Sequence, residues 1–430
     1  MLDFKEFKNR REKLSSFLGD GVAILMNSKE AIRNRDCHYP FRSDSYFHYL
    51  SAFPEPDSIM VVIGGKKPKS VIFCQPKDEI KEIWNGYIFG PSKACEDFLF
   101  DEGYALSEFH NLLPKIIKGK KIFLLSFTEK KSGIPFLTSK WFRENDKQRK
   151  DLSEIIDGMR VIKNNYEVNI MRKSANIAAN AHIHAMKYTK ADKYEYEIEG
   201  EILNQFFKNN ARNPAYSSIV ASGINSCTLH YIENNSKLKD GDLLLIDAGC
   251  ELESYASDIT RTYPVNGKFS LAQKEIYQLV LLAQKAAIEK VKEDNFFDDP
   301  HKEALKIIVN GLIDLDFLKG SKDEIYEKEL YKKFFMHRTS HWLGLDVHDV
   351  GKYMTNTKKK TAVRLSKGNV LTIEPGCYIR PSNEVPKEFW GIGVRIEDDV
   401  LVTSNGYDVL SKNAPKEIGE LEAIIGTLND

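Results

Sequence analysis

The sequence predicts an α/β chain of two domains, a smaller N-terminal one over residues 1–155 and a larger one over residues 156–430. Three observations predict this. A chain of 430 residues is too long for one ordinary hydrophobic core. Its first third alternates short strand-like runs with helical patterns. Near Asn164 a new helix opens with a capping signature, after a boundary region at 151–164.

Residues 3–18 read as a helix with Phe4, Phe7, Leu14 and Phe17 on its apolar side. Strand-like runs follow at 22–26, 58–64, 70–74 and 121–126, the second and third joined by the turn-forming GGKKPK. Two aromatic-rich segments, FRSDSYFHYLSAFPEP at 41–56 and EIWNG at 82–86, exceed what packing alone requires, although plain core and loop remain open for both. In the second domain Asn164 can cap a helix while Glu167 returns the bond, and Val168, Met171, Ala175 and Ala178 keep to its apolar stripe. A second helix opens at Ser270 with Gln273 in the same relation and Ile276, Leu279 and Ala283 on its buried side. Strands are expected near 369–374 and 391–402, and an amphipathic helix at 416–425. The lysine run 358–360 reads as a solvated loop.

Lysine plus arginine equals aspartate plus glutamate, 62 each, which offers no global attraction for nucleic acid or an anionic membrane and favours a small or neutral ligand. The six cysteines form no CxxC pair and suit a reducing compartment. The opening MLDFKEFKNRREKL lacks the apolar core of a secretory signal, and no apolar run approaches a membrane span. These features predict a soluble, cytoplasmic protein.

The chemistry gathers in the second domain. Residues 240–262, DGDLLLIDAGCELESYASDITRT, read as a β-hairpin. If it closes around Leu252 and Glu253, Asp247 lies directly opposite Asp258, and two carboxylates on one face repel unless a cation sits between them. Aspartates near turns more often cap backbone groups, so other signals must support a cation. His337, His341 and His348 crowd into FFMHRTSHWLGLDVHDVG, where the spacing of the first two could place them on one helix face. The zinc-protease pattern HExxH is excluded, because Arg338 stands where it needs glutamate. Glu374 ends the apolar run VLTIEPG, and in GIGVRIEDDVLV alternation puts Arg395, Glu397 and Asp399 on one side, where Arg395 and Glu397 could equally form a surface ion pair. Asp247, Asp258, His341, Glu374 and Glu397 supply four carboxylates and one imidazole, enough negative charge to neutralise two divalent ions. Manganese, iron, cobalt or zinc suits such donors, and a bridged pair of ions about 3.5–4 Å apart is a recurring hydrolytic device.

The ordered set IDAG, SDITRT, SHWLGLDVHDVG, IEPG and GVRIEDD resembles the pita-bread metallopeptidases of the aminopeptidase P type, and the resemblance extends over nearly the whole chain. It implies a C-terminal pita-bread domain with a curved, antiparallel-rich sheet behind the N-terminal α/β domain, and release of the first residue from peptides with proline second, by a hydroxide bridging two ions, most readily Mn2+. It implies that Asp247 and Asp258 bind one ion, with Asp258 also reaching the second, which His341 and Glu374 complete, and that Glu397 bridges both. It further implies that His230, His337 and His348 hold substrate or stabilise the tetrahedral intermediate, with Glu374 shuttling the proton. Tyr378 and Arg395 are implied to support ligands and substrate, and Tyr216, in NPAYSSIVASG, to contact substrate. Trp84 is implied to reach a neighbouring subunit's site, hence a homodimer or homotetramer. Prolidase on the same fold, creatinase-like hydrolases without metals, and non-catalytic interaction modules are the alternatives. Two departures stand out: Arg338 occupies a position often held by glycine, and 295–299 lacks a proline-glycine turn, from which a surface change is expected.

Overall fold

The structure, a computed structural model, describes residues 2–125, 149–356 and 361–428, so Ser126 and the lysine run 358–360 lie outside the described residues. Its chain divides into two compact units, Met1–Arg160 and Val161–Asp430. Among the described residues no helix is long and apolar enough to cross a membrane.

The first unit is built on a six-stranded mixed sheet in the order Glu102–Ala105, Lys69–Cys74, Ile59–Ile63, Val22–Met26, Ile122–Leu124, Arg149–Asp151. The central pairings are antiparallel and the outer ones parallel. Val22, Ile24, Val61 and Phe73 pack beneath Phe109 and Leu113. The helix Phe4–Leu18 buries Phe7, Leu14 and Leu18, while Phe17 is 54% exposed, contrary to expectation. Phe17 lies about a quarter turn off that stripe. Its expected place is taken by Arg11, whose buried guanidinium donates to the carbonyls of Leu50, Phe98 and Leu99. The segment 41–56 is core: Asp44 caps the wholly buried helix Ser45–Ser51 by accepting from the Tyr46 and Phe47 amides. The segment 82–86 is the opposite, belonging to a helix, Glu79–Asn85, that buries nothing and ends at Gly86 with φ +85°.

In the second unit, long helices back two bent hairpins. Asn165–Tyr188 opens with the expected capping box between Asn164 and Glu167, and Leu271–Ile288 with that between Ser270 and Gln273. The first hairpin runs through Leu243–Asp247, Cys250–Leu252, Tyr255–Ala256 and Thr260–Pro264; the second through Val370–Ile373, Gly376–Ile379, Ile392–Arg395 and Asp398–Thr403. The expected change at 295–299 is not confined to the surface, since Phe297 is buried with its ring 4.5 Å from that of Trp342.

Behind the hairpins Arg261 and Asp398 form a fully buried ion pair at 2.8 Å. Arg261 also donates to the carbonyls of Thr260 and Glu397, so one guanidinium ties the first hairpin to the second. Asp398 accepts in addition from Gln284, Ser411 and Lys416. Burial alone would raise the Asp398 carboxyl, but Arg261 and Lys416 outweigh it and hold the group well below the usual carboxylate range. The sign follows: this stabilisation is fully present above the ordinary carboxylate pKa of about 4 and is lost as pH falls toward the depressed folded value. Replacing Arg261 by Met strands a buried charge, and urea unfolding should read a loss of about 3–5 kcal/mol at neutral pH.

Candidate metal centre

The hairpin register differs from expectation. Asp247 pairs with Thr260 and Leu252 with Tyr255, so the turn falls on Glu253 and Ser254, both with positive φ of 48° and 67°. Moving the turn by one residue moves each partner by two, which preserves the face but places Asp258 across from Gly249 instead of Asp247. A Cβ at Gly249 would lie 1.7 Å from the Ser257 carbonyl oxygen, so only glycine lets the strands close there. The two carboxylates nevertheless meet at one atom, the Tyr216 hydroxyl, 2.6 Å from Asp247 and 2.5 Å from Asp258.

The second hairpin supplies the other carboxylates through a lapse in its ladder. Val370–Ile373 pairs with strand residues 398–401, and Gly376–Ile379 pairs with Ile392–Arg395. Between them Pro375 has no N–H to continue the pairing, and Glu374 and Glu397 face the cavity at this joint. The expected single strand through 391–402 is therefore two strands. Arg395 and Glu397 are buried, and Arg395 pairs at 2.7 Å with Asp247, not with Glu397. The histidine segment forms no helix. His341 sits on extended backbone whose carbonyl accepts from the Thr372 amide and whose amide donates to the Thr372 hydroxyl, so strand-like contacts, not a shared helix face, aim its ring.

A cavity of about 510 Å³ is lined by Tyr216, His230, Asp247, Asp258, His337, His341, His348, Glu374, Arg395 and Glu397. Asp258, His341 and Glu397 bring ligand atoms within 4.8 Å of one another. His341 Nδ1 lies 3.0 Å from the Trp342 carbonyl, to which it donates, and this turns Nε2 toward Asp258 at 3.3 Å and Glu374 at 3.8 Å. Tyr378 is fully buried beneath the cavity. Its hydroxyl receives an Arg395 N–H at 3.0 Å and lies 2.9 Å from His337 Nε2, while His337 Nδ1 lies 2.7 Å from the Arg338 carbonyl. Trp84 belongs to the other unit, 83% exposed beside Ile80, Ile83 and Tyr87. Two supporting residues were not among the expected site residues: Thr260, which donates to Glu397 at 2.6 Å, and Asp399, placed on the side of Arg395 and Glu397 but given no role, which accepts the Asp258 amide at 3.2 Å. Both lie two residues from a singled-out carboxylate, on the same side of the strand, which is the signal that could have found them.

The electrostatics test whether a cation fits. Burial, then neighbouring carboxylates, pushes the Asp258 and Glu397 carboxyls up; burial also raises Glu374, against the pull of His341 and Arg395. Burial alone would lower His341, but Asp258 and Glu374 outweigh it and hold the imidazole up to about 9. Burial and Arg395 push His337 down to about 3, so it stays neutral. The single Tyr216 proton cannot serve two carboxylates at once. This floor therefore takes up protons for want of positive charge, and hard oxygen donors beside one imidazole suit divalent cations.

Residues 169–404 match metallopeptidase family M24, and residues 7–124 match the aminopeptidase P N-terminal domain. The chain is 43% identical over 423 residues to the Xaa-Pro aminopeptidase of Haemophilus influenzae, covering 98% of this chain and 97% of that one. It is 38% identical over 433 residues to the Escherichia coli Xaa-Pro aminopeptidase, with 98% and 97% covered. The solved structure of Pseudomonas aeruginosa aminopeptidase PepP superposes with a TM-score of 0.92 at 39% identity over 98% of each chain. Aminopeptidase P from E. coli with the inhibitor Pro-Leu gives 0.93 at 37% identity, also over 98% of each. The chain belongs to metallopeptidase family M24, its pita-bread fold following an aminopeptidase P N-terminal domain along the sequence. It is an enzyme, a hydrolase of the aminopeptidase kind.

If the floor holds cations, Mn2+ should raise the melting temperature of metal-free protein. Thr260→Val, which leaves Glu397 without its hydroxyl donor, should weaken Mn2+ binding about 10- to 100-fold by calorimetry.

Proposed function

We propose that this chain releases the N-terminal residue from peptides with proline at the second position, using two divalent cations, Mn2+ foremost with Co, Fe or Zn as substitutes. The observation that carries this reading is the convergence of Asp247, Asp258, His341, Glu374 and Glu397 on one cavity floor. The similarity to relatives named Xaa-Pro aminopeptidase supports it. In this reading Asp247 and Asp258 hold one cation, Asp258 also reaches the second, His341 and Glu374 complete that second site, and Glu397 joins both. Bound there, the cations would supply a bridging hydroxide at neutral pH and polarise the scissile carbonyl.

The protein's own groups do the rest. Glu374, facing the cavity at the joint of the second hairpin, is placed to take the proton of the attacking oxygen and pass it to the leaving proline nitrogen. His230 and His348, exposed on the cavity wall, can donate to the oxygen on which charge develops. His337 has both ring nitrogens engaged, so its part is to fix Tyr378, which with Arg395 keeps Asp247 in place. Tyr216 stands where the substrate's amine must approach the two aspartates. Proline brings no N–H, so ring shape against Ile219, Leu229, Ile232 and Val347 provides the selection. The exposed helix Glu79–Asn85, with Trp84 at its end, is the surface through which we expect a homodimer or homotetramer to form and to lend Trp84 to a second copy. Six free cysteines are consistent with work in the cytoplasm.

A panel of Xaa-Pro, Xaa-Pro-Yaa and proline-free peptides, assayed after chelation and Mn2+ re-addition, tests the activity. Cleavage should require Mn2+ and proline second, and Asp258→Ala should abolish it. Preference for the dipeptide would point instead to a prolidase, and loss of the proline requirement to a general aminopeptidase. Light scattering of Ile83→Ser/Trp84→Ser protein should show a smaller assembly than the native chain; an unchanged mass would place the interface elsewhere.

A further inference from the structure

The cavity lining contains two arginines, and they differ in what they face. Arg395 is buried and spends its guanidinium on Asp247, Tyr378 and Thr260. Arg338 also lines the cavity but is exposed, and among the described residues its guanidinium donates to no carbonyl and pairs with no carboxylate. Its backbone is pinned all the same. The Arg338 carbonyl accepts from His337 at 2.7 Å, and the next carbonyl, that of the fully buried Thr339, accepts from the Glu374 amide at 2.9 Å. A free cation on a fixed base at the rim of a substrate cavity is a ready partner for an anion.

We propose that Arg338 is a specificity-determining residue that favours peptides carrying a carboxylate beyond the residue removed, and this rests on the peptidase reading above. An enzyme that removes the first residue holds the peptide's amino end at the floor, so the remainder of the chain runs outward past the rim. At the floor, Asp247, Asp258, Glu374 and Glu397 and the cations they would hold are taken up with the peptide's amino end and scissile carbonyl, whereas the rim carries Arg338. The anions a peptide can bring there are its own C-terminal carboxylate, when the peptide is short, or an acidic side chain, when it is long. A guanidinium engages either in a bidentate manner. Because the contact lies away from the reacting bond and is made equally in ground and transition states, it acts on KM more than on kcat.

The test compares Xaa-Pro-Yaa tripeptides as free acids and as C-terminal amides, and longer amidated peptides with glutamate or glutamine in third position, at low and high salt. Native enzyme should favour the carboxylate-bearing member of at least one pair by about three- to tenfold in kcat/KM, mostly through KM, with the preference shrinking as salt rises. The free-acid pair isolates the C-terminus as source and the glutamate pair the side chain. Arg338→Gln should bring the ratio close to one, Arg338→Lys should keep most of it, and Arg338→Glu should invert it. Equal rates within both pairs for native enzyme, or a preference that survives Arg338→Gln, overturns the assignment. Calorimetric binding of the same pairs separates this from the activity itself: a chain that binds with the charge preference but cuts nothing sinks the peptidase reading alone, and one that cuts without preference sinks the role of Arg338 alone.

Discussion

The buried pair of Arg261 and Asp398 is the constraint on which the second unit rests. The carboxylates of the site come from two hairpins that are far apart in the chain, and each carboxylate repels the others. Packing of apolar side chains alone fixes neither the distance between the hairpins nor their register. Arg261 does so by reaching from Thr260 to the carbonyl of Glu397 while its charge is balanced by Asp398, so the backbones are clamped at Glu397 itself and two residues from Asp258. A site made of like charges is thus held together from behind by unlike ones.

A second layer lies between clamp and cavity. Thr260, Asp399 and Arg395 have no part in the reaction as proposed, yet each holds a group that does, and Tyr378 anchors Arg395 in turn. Hydrogen bonds to carboxylate oxygens and to the Asp258 amide leave little rotational freedom at the floor, which is the condition for charge to be arranged before a substrate arrives.

Much of this was legible in the sequence. The capping boxes at Asn164 and Ser270 and four strands of the first unit's sheet depend on local chemistry and fall where the residue pattern puts them, whereas the sheet's two edge strands, Glu102–Ala105 and Arg149–Asp151, were not foreseen. The five carboxylate and imidazole positions were legible because each sits in a short motif of its own. What escaped was set by contacts distant in sequence. The one-residue shift of the turn depends on Glu253 and Ser254 both accepting left-handed backbone, which their identities do not advertise. The break at Ile396 and Glu397 reflects Pro375 on the facing strand, and the burial of Arg11 reflects three carbonyls from two other segments. Alternation along a strand gave the side on which Arg395 lies, but could not say that this side is interior.

Gly249 gives the first hairpin an unusual sensitivity. Its strands touch backbone to backbone at the point between the two aspartates, so the spacing of the carboxylates is governed by an atom the chain lacks. Replacing a ligand removes one donor and leaves the others in place. Adding a single inert methyl at this glycine forces the strands apart and moves Asp247 and Asp258 together with everything bonded to them. In evolutionary terms the position that looks chemically emptiest is among those least free to drift.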